Sequence, residues 1–169
     1  MPTGLKQSSS VVSIGFNATE TAANTFSQST VDLNLSPLDR EVFVVLAVNL
    51  DPFTPDIIGG TTTQVSSSLT TTSQTSVANL SESNCLAASQ NIIRSDAPTN
   101  AVAFQTLGFE TPPATLEYIG IIATNDFFVQ VEGAANLSAK AVNGKMYGYR
   151  AIASADIYAA LVQSEVLSA

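Results

Sequence analysis

The sequence contains no His, no Trp and a single Cys, and it has only six Lys plus Arg in 169 residues. The absence of His excludes Ser–His–Asp and Cys–His nucleophile sites and every His-ligated metal site, because each of these needs an imidazole. The lone thiol, Cys85, has no partner for an intramolecular disulfide. It is followed by Leu86, Ala87 and Ala88, which predict a buried, unreactive thiol. We therefore expect a protein that is not an enzyme, with no catalytic residue, no cofactor and no metal ligand.

Basic residues are scarce, and 14 Asp plus Glu give the chain a formal net charge of −8. Phosphate backbones and anionic membrane surfaces are bound through Lys and Arg, so the composition argues against direct contact with nucleic acid and against binding to acidic membranes. The longest apolar run, Val42–Leu50, has the length of a strand and is too short to insert into a membrane as a helix. The first ten residues lack the apolar core of a signal peptide, so we expect a chain made without classical secretion.

Four acidic residues flank this apolar run: Asp39 and Glu41 precede it, and Asp51 and Asp56 follow it. If they converged, their oxygens would suit Ca²⁺. Their spacing matches no calcium loop, and Asp is common in turns for its own backbone reasons. We favour the interpretation that these residues are solvated turn and strand-end acids.

The polarity of the chain comes from neutral residues, including 20 Ser and 18 Thr, which alternate with apolar side chains. Val12, Ile14 and Phe16 alternate with small residues, and similar alternation recurs around residues 31–35 and 102–106. A period of two predicts half-buried strands. Val42–Leu50 is apolar at nearly every position, which indicates a strand covered on both faces, the second face by another subunit or by a loop.

Three segments are less regular. Residues 61–84 are rich in Ser and Thr and predict one or two polar strands at a sheet edge, with a linker as the alternative. Cys85–Arg94 is compatible with a short helix. Ser154–Leu167 begins with a residue suited to cap a helix and predicts a short helix, or alternatively a last strand.

Turn residues complete the pattern. Asn125-Asp126 and Asn143-Gly144 each lie between strand-like segments and predict two-residue hairpin turns. The predicted strands follow one another at intervals of roughly 8–12 residues, the spacing that is typical of a β-sandwich. We predict an all-β fold: an antiparallel, jelly-roll-like β-sandwich of 8–10 strands with at most two short helices. Residues 1–9 are expected to form a flexible N-terminal arm, and residues 10–169 a single β-sandwich domain.

The most distinctive string is Met146-Tyr147-Gly148-Tyr149-Arg150. In a strand, Tyr147 and Tyr149 project from one face and Arg150 from the other. Tyr and Arg are favoured anchors of protein interfaces, so these three residues are candidate contacts with another subunit. A strand with Tyr at the rim of the core is the equally weighted alternative.

The polar arm at residues 1–10, the strand series from Val11 to Ile152, the proline-broken loop Asp51–Asp56 and the Ser/Thr tract resemble small β-sandwich virion proteins: single jelly-roll capsid subunits and the decoration proteins of tailed phages. The resemblance implies a homo-oligomer that tiles a shell, located in the virion and assembled in the host cytoplasm, with other virion proteins as further partners. A cell-surface or adhesion β-sandwich, with carbohydrate as a ligand, is the alternative.

Overall fold

A computed structural model describes residues 2–106 and 116–168 of the chain. This part of the chain contains ten strands and one helix, which confirms the predicted all-β class. The elements in chain order are β1 (Leu5–Gln7), β2 (Val12–Thr19), β3 (Ser27–Asp32), β4 (Glu41–Pro52), β5 (Thr63–Thr70), β6 (Cys85–Ala97), β7 (Asn100–Thr106), β8 (Gly120–Ile122), β9 (Asp126–Ala134), β10 (Ala141–Ala153) and α1 (Ala155–Leu167). The sequence predicts that the strand around residues 102–106 ends near Gly108–Pro113, a segment that lies outside the described residues.

The strands form two antiparallel sheets. In sheet A, β1 and β2 both pair with β10, which is followed by β4 and then β8, and in sheet B the order is β3, β9, β5, β6, β7. The pairs β2–β10, β3–β9, β4–β8 and β5–β6 nest like the arms of one long hairpin folded over on itself. This is the jelly-roll arrangement, to which β7 is added at one edge.

The main core lies between the two sheets. Alternate residues of the central strands point into it, including Phe43, Phe127 and Met146, each at most 1% exposed. The rings of Phe16 and Phe127 meet edge to face, with centroids 5.6 Å apart and planes at 78°. The period-two pattern of the sequence therefore sets which face of each strand is buried.

The second apolar face of β4 is covered by α1 of the same chain. Val42 and Val44 are fully buried in a second cluster against which Ile157 and Leu161 of α1 pack. The prediction that this strand is covered on both faces is confirmed, and the cover of the second face comes mainly from α1 of the same chain. This face therefore gives no reason to expect an interface there.

The helix α1 is anchored near its C-terminal end. At its start, Ser154 takes the N-cap position with extended backbone, as its sequence position suggested, but its side chain makes no capping hydrogen bond. Near the other end, the carboxylate of Glu165 accepts hydrogen bonds from the N–H groups of Ala123, at 2.7 Å, and Thr124, at 2.9 Å. Burial raises the pKa of Glu165, against the effect of these hydrogen bonds. The predicted C-terminal helix is thus confirmed, and it is fixed to the turn between β8 and β9.

The Ser/Thr-rich tract contains the central strand β5 and then residues 71–84, which we call the strap. β5 lies between β9 and β6, so the expected edge position is wrong. Residues 71–84 then cross the outer face of sheet B, where Gln130 forms the middle of a hydrogen-bond network. Its side chain accepts from Ser68 Oγ at 2.7 Å and donates to Gln28 Oε1 at 3.0 Å. Gln28 in turn accepts from the N–H of Gln74, and Ser68 from that of Ala78.

Two turn predictions and one helix prediction are wrong. Cys85–Arg94 belongs to the strand β6, because its residues complete the ladder beside β5. Asn125-Asp126 joins strands of different sheets, so no hairpin forms there. Asn143-Gly144 lies inside β10, which pairs with β2 on one side and β4 on the other. Glycine is needed at 144 because a Cβ there would lie 2.4 Å from the ring of Phe16.

The N-terminal segment is not wholly a flexible arm. Leu5–Gln7 pairs with residues 151–153 of β10, and the Leu5 side chain is buried in the cluster under α1. Cys85 is half-buried rather than buried, and desolvation raises the pKa of its thiol to about 11. In the described ranges, no helix has the length and apolarity that crossing a bilayer requires.

Candidate interface at the loop end of the sandwich

Three loops meet at one end of the sandwich. They are residues 20–26 between β2 and β3, residues 53–62 between β4 and β5, and residues 135–140 between β9 and β10. These connections cross between sheets A and B, which brings distant parts of the sequence together. We call this region the loop end.

A buried carboxylate joins the first and third loops. Glu20, only 4% exposed, accepts hydrogen bonds from the backbone N–H groups of Thr25 at 3.0 Å, Gly133 at 2.7 Å and Lys140 at 2.7 Å. Its own N–H donates to the carbonyl of Lys140 at 2.9 Å. One side chain thus satisfies donors from three separate backbone positions, and the loops are fixed relative to each other.

A pair of asparagines adds a second link. Asn24 Nδ2 donates to the carbonyl of Asn136 at 2.9 Å, and the N–H of Asn136 donates to Asn24 Oδ1 at 2.7 Å. The buried side chain of Asn136 also accepts from the N–H of Asp56 and donates to the carbonyl of Gln64. Asn24 has a φ of 59°, a left-handed conformation that Asn tolerates better than most residues. All three loops are therefore connected through Asn136.

Asp56 and Lys140 form an ion pair between the second and third loops. Lys140 Nζ donates to Asp56 Oδ1 at 2.7 Å, and the N–H of Leu137 donates to Asp56 Oδ2 at 2.9 Å. The bond from Lys140, followed by that from Leu137, lowers the pKa of Asp56. The folded protein therefore favours the ionised form of this carboxyl.

We expect the loop end to loosen in acid. Because the pKa of Asp56 is lowered on folding, the stabilisation by its charge is complete above the unfolded value of 3.8 and is lost as the pH falls through the lower folded value. Hydrogen exchange should show a smaller protection factor for the Leu137 amide at about pH 3 than at about pH 6.

Asp56→Asn provides the control for this experiment, because it removes the titrating group. Its Leu137 amide should be weakly protected at both pH values. Equal protection of Leu137 in the parent protein at both pH values would contradict the proposed role of the Asp56 charge.

This fixed backbone holds apolar side chains in solvent. Phe53 is 47% exposed, Ile57 74% and Leu137 79%. Ile57 directly follows Asp56, which is hydrogen-bonded to the backbone of Leu137, so these two side chains come from neighbouring segments. Exposed apolar groups on an ordered backbone suit association with another surface, since little conformational entropy remains to be lost on binding.

No local sequence pattern points to these residues. The sequence groups Asp56 only with the acidic residues Asp39, Glu41 and Asp51. In the fold, Asp39 and Glu41 lie at one end of β4, and Asp51 and Asp56 lie at the other. Two of the three backbone donors to the Glu20 carboxylate, and the partner of Asn24, lie more than 100 positions away in the chain. A pattern in neighbouring residues carries no information on hydrogen bonds between such distant positions. The loop end can therefore be identified only from the topology of the fold.

The three interface residues predicted from sequence have different environments. Tyr147 is 39% exposed on the outer face of sheet A. Tyr149, on the same face, is 7% exposed because it packs in the cluster under α1. Arg150 pairs with Glu41 at 3.1 Å and donates to the carbonyl of Leu33 at 2.6 Å, while its side chain stays 35% exposed. Tyr149 and Arg150 thus have partners within the chain, Tyr147 is the more exposed of the two tyrosines, and the assignment of all three residues to a subunit contact stays a prediction.

Comparison with known proteins gives little further information. No family model matches the chain, and no curated protein matches it. A chain in a solved structure from Desmodium yellow mottle tymovirus is similar over 92% of this chain and 95% of that chain, with 11% sequence identity and a TM-score of 0.31. The assignment of the jelly roll rests on the strand order and pairing of the chain itself.

Proposed function

We propose that this protein is a structural subunit of a virion, in a capsid shell or as a decoration protein, and that it assembles through many copies of itself. The observation that carries the proposal is the loop end: a jelly roll presents exposed apolar side chains on loops held by buried hydrogen bonds. Jelly rolls serve viral shells and lectins among other proteins, so the fold alone does not decide between them.

The charge distribution supports association through neutral contacts. The chain has 20 charged side chains in 169 residues, and the exposed residues at the loop end that we assign to contacts are Phe53, Ile57 and Leu137. Interface centres are depleted in charged residues and enriched in aromatic and other apolar ones. The acidic balance supports a position without direct contact with the genome. Location in the virion, assembly in the host cytoplasm and contacts with other virion proteins complete the proposal.

The test is assembly of the purified full chain. Light scattering after size exclusion and electron microscopy should reveal closed particles, rings or other oligomers at high protein concentration. Ile57→Asp and Leu137→Asp should each reduce assembly strongly, at least tenfold in the concentration required, because a charge desolvated at an apolar contact costs more than about 1.4 kcal/mol.

Leu38→Asp is the matched control. Leu38 is 94% exposed and precedes β4, so it lies at the opposite end of that strand from Phe53. This variant should assemble like the parent. An equal loss of assembly in all three variants would indicate a general effect of added charge. A parent protein that stays monomeric at high concentration would contradict the proposal.

A binding module is the second candidate, and a groove favours it. The outer face of sheet B has a groove of about 560 Å³ beside the strap, lined in part by Gln64, Ser66, Gln90 and Glu132. Amide, hydroxyl and carboxylate groups of this kind can bind sugars through hydrogen bonds. A monodisperse monomer that binds oligosaccharides in calorimetry would support this function over assembly.

A further inference from the structure

The strand added to the jelly roll has an open edge. β7 ends sheet B, and among the described residues only β6 pairs with it. Residues 100–105 are all exposed, with Val102 at 59% and Phe104 at 54%. Proteins usually protect such an edge with charges, prolines or bulges, but Asn100–Thr106 contains no charge and no proline.

Val102 and Phe104 lie on the face of sheet B that points away from the core. They oppose Arg94 and Ile92 of β6, whereas the next residue, Ile93, faces inward and is buried. Alternate backbone groups of β7 point to the open edge, where an added strand would satisfy them. The geometry of this edge thus specifies the conformation of its partner, an extended strand.

From this edge we infer that β7 pairs antiparallel with β7 of a second copy of this chain, so that the two B sheets continue into each other. In this pair, a two-fold axis passes through the midpoint of the strand, so that Ala103 of one copy lies opposite Ala103 of the other. In that register Val102 of each copy opposes Phe104 of the other, on the same outer face. Aromatic residues and β-branched residues are favourable cross-strand pairs.

Charge is compatible with this partner. The chain carries a net charge of −8, so two copies repel each other overall. The seven residues of β7 carry none, and two copies therefore meet there without repulsion. The paired segment spans about 20 Å, which is a small contact for a lasting dimer. We expect it to form together with the contacts of the loop end, and in naming a second copy it rests on the proposed assembly.

A disulfide tests the register. In a background with Cys85→Ser, Ala103→Cys places the new thiol directly opposite its own copy, at a Cα separation that a disulfide can span. Ala101→Cys is the matched control on the same face of the strand. Its two copies would lie four residues apart along the pair, about 13 Å, which is beyond disulfide reach.

Under mild oxidation at high protein concentration, the Ala103→Cys variant should form a disulfide-linked dimer, with a yield roughly tenfold above that of Ala101→Cys. Adding Phe104→Lys should suppress the cross-link, since it places a charge opposite Val102 at two positions of the pair. Peptide mapping should locate the bond at residue 103. Absence of this dimer, or equal cross-linking at positions 101 and 103, would overturn the pairing.

The results separate this inference from the proposed function. Particles that assemble without a cross-link at residue 103 would overturn the β7 pairing and leave the virion role intact. Cross-linked dimers that never build larger assemblies would support the β7 pairing and count against the virion role.

Discussion

Replacing Glu20 by Ala should destabilise the protein by about 3–5 kcal/mol, because a buried N–H donor left without a partner costs about 1–3 kcal/mol and this carboxylate serves three of them. A loss of this size is a large part of the stability of a typical domain. Urea denaturation followed by circular dichroism measures it. Glu20→Gln should fall between the parent and Glu20→Ala, since its amide keeps one acceptor oxygen but turns an NH₂ toward the donors.

The control for this prediction is Glu132→Ala. Glu132 is a partly exposed carboxylate on the outer face of sheet B, and its removal should change the free energy of unfolding by no more than about 0.5 kcal/mol. If Glu20→Ala cost less than about 1 kcal/mol, the three donors would have found other partners and Glu20 would not be the centre of the loop end.

Gly148→Ala should also cost about 3 kcal/mol, as an overpacked core position does when the backbone cannot yield. A Cβ at 148 would lie 2.3 Å from the carbonyl oxygen of Val44 and 2.4 Å from the ring of Phe43. The pairing of β10 with β4 shifts register between Tyr147 and Gly148, so the two strands approach closely at an irregular point. Denaturant unfolding should give a lower midpoint with an unchanged slope.

Gly15→Ala is the matched substitution in the same sheet. A Cβ at Gly15 has no other atom within 4 Å, and its effect should lie between zero and a stabilisation of about 1 kcal/mol through the unfolded chain. Similar losses in both variants would mean that glycine is needed in these strands for some reason other than the close approach at Gly148.

The elements that the sequence predicts well are those whose pattern is local. Alternation in β2 and the apolar run in β4 indicate strands because burial of one face, or of both, leaves a direct record in neighbouring residues. The same patterns lead to the all-β sandwich. The helix α1 is also recognisable, since Ser154 lies just before its apolar residues.

The elements that the sequence predicts poorly depend on distant partners. Asn143-Gly144 has the composition of a turn, but β2 and β4 flank it and make it part of a ladder. Cys85–Arg94 has no strong local preference, and pairing with β5 and β7 decides its conformation. Likewise, the exposure of Ile57 and Leu137 follows from loops brought together by the topology, and the sequence alone offers no signal for it.

The strap over sheet B is held by amides and hydroxyls. Gln130, Gln28 and Ser68, with the backbone of residues 74 and 78, supply the bonds that fix it, and none of these groups gains or loses a proton in ordinary buffers. Ionic strength acts on charges and leaves such bonds largely unaffected. This face should therefore keep its shape in fresh water, in sea water and in acid strong enough to protonate the Asp56 carboxylate of the loop end.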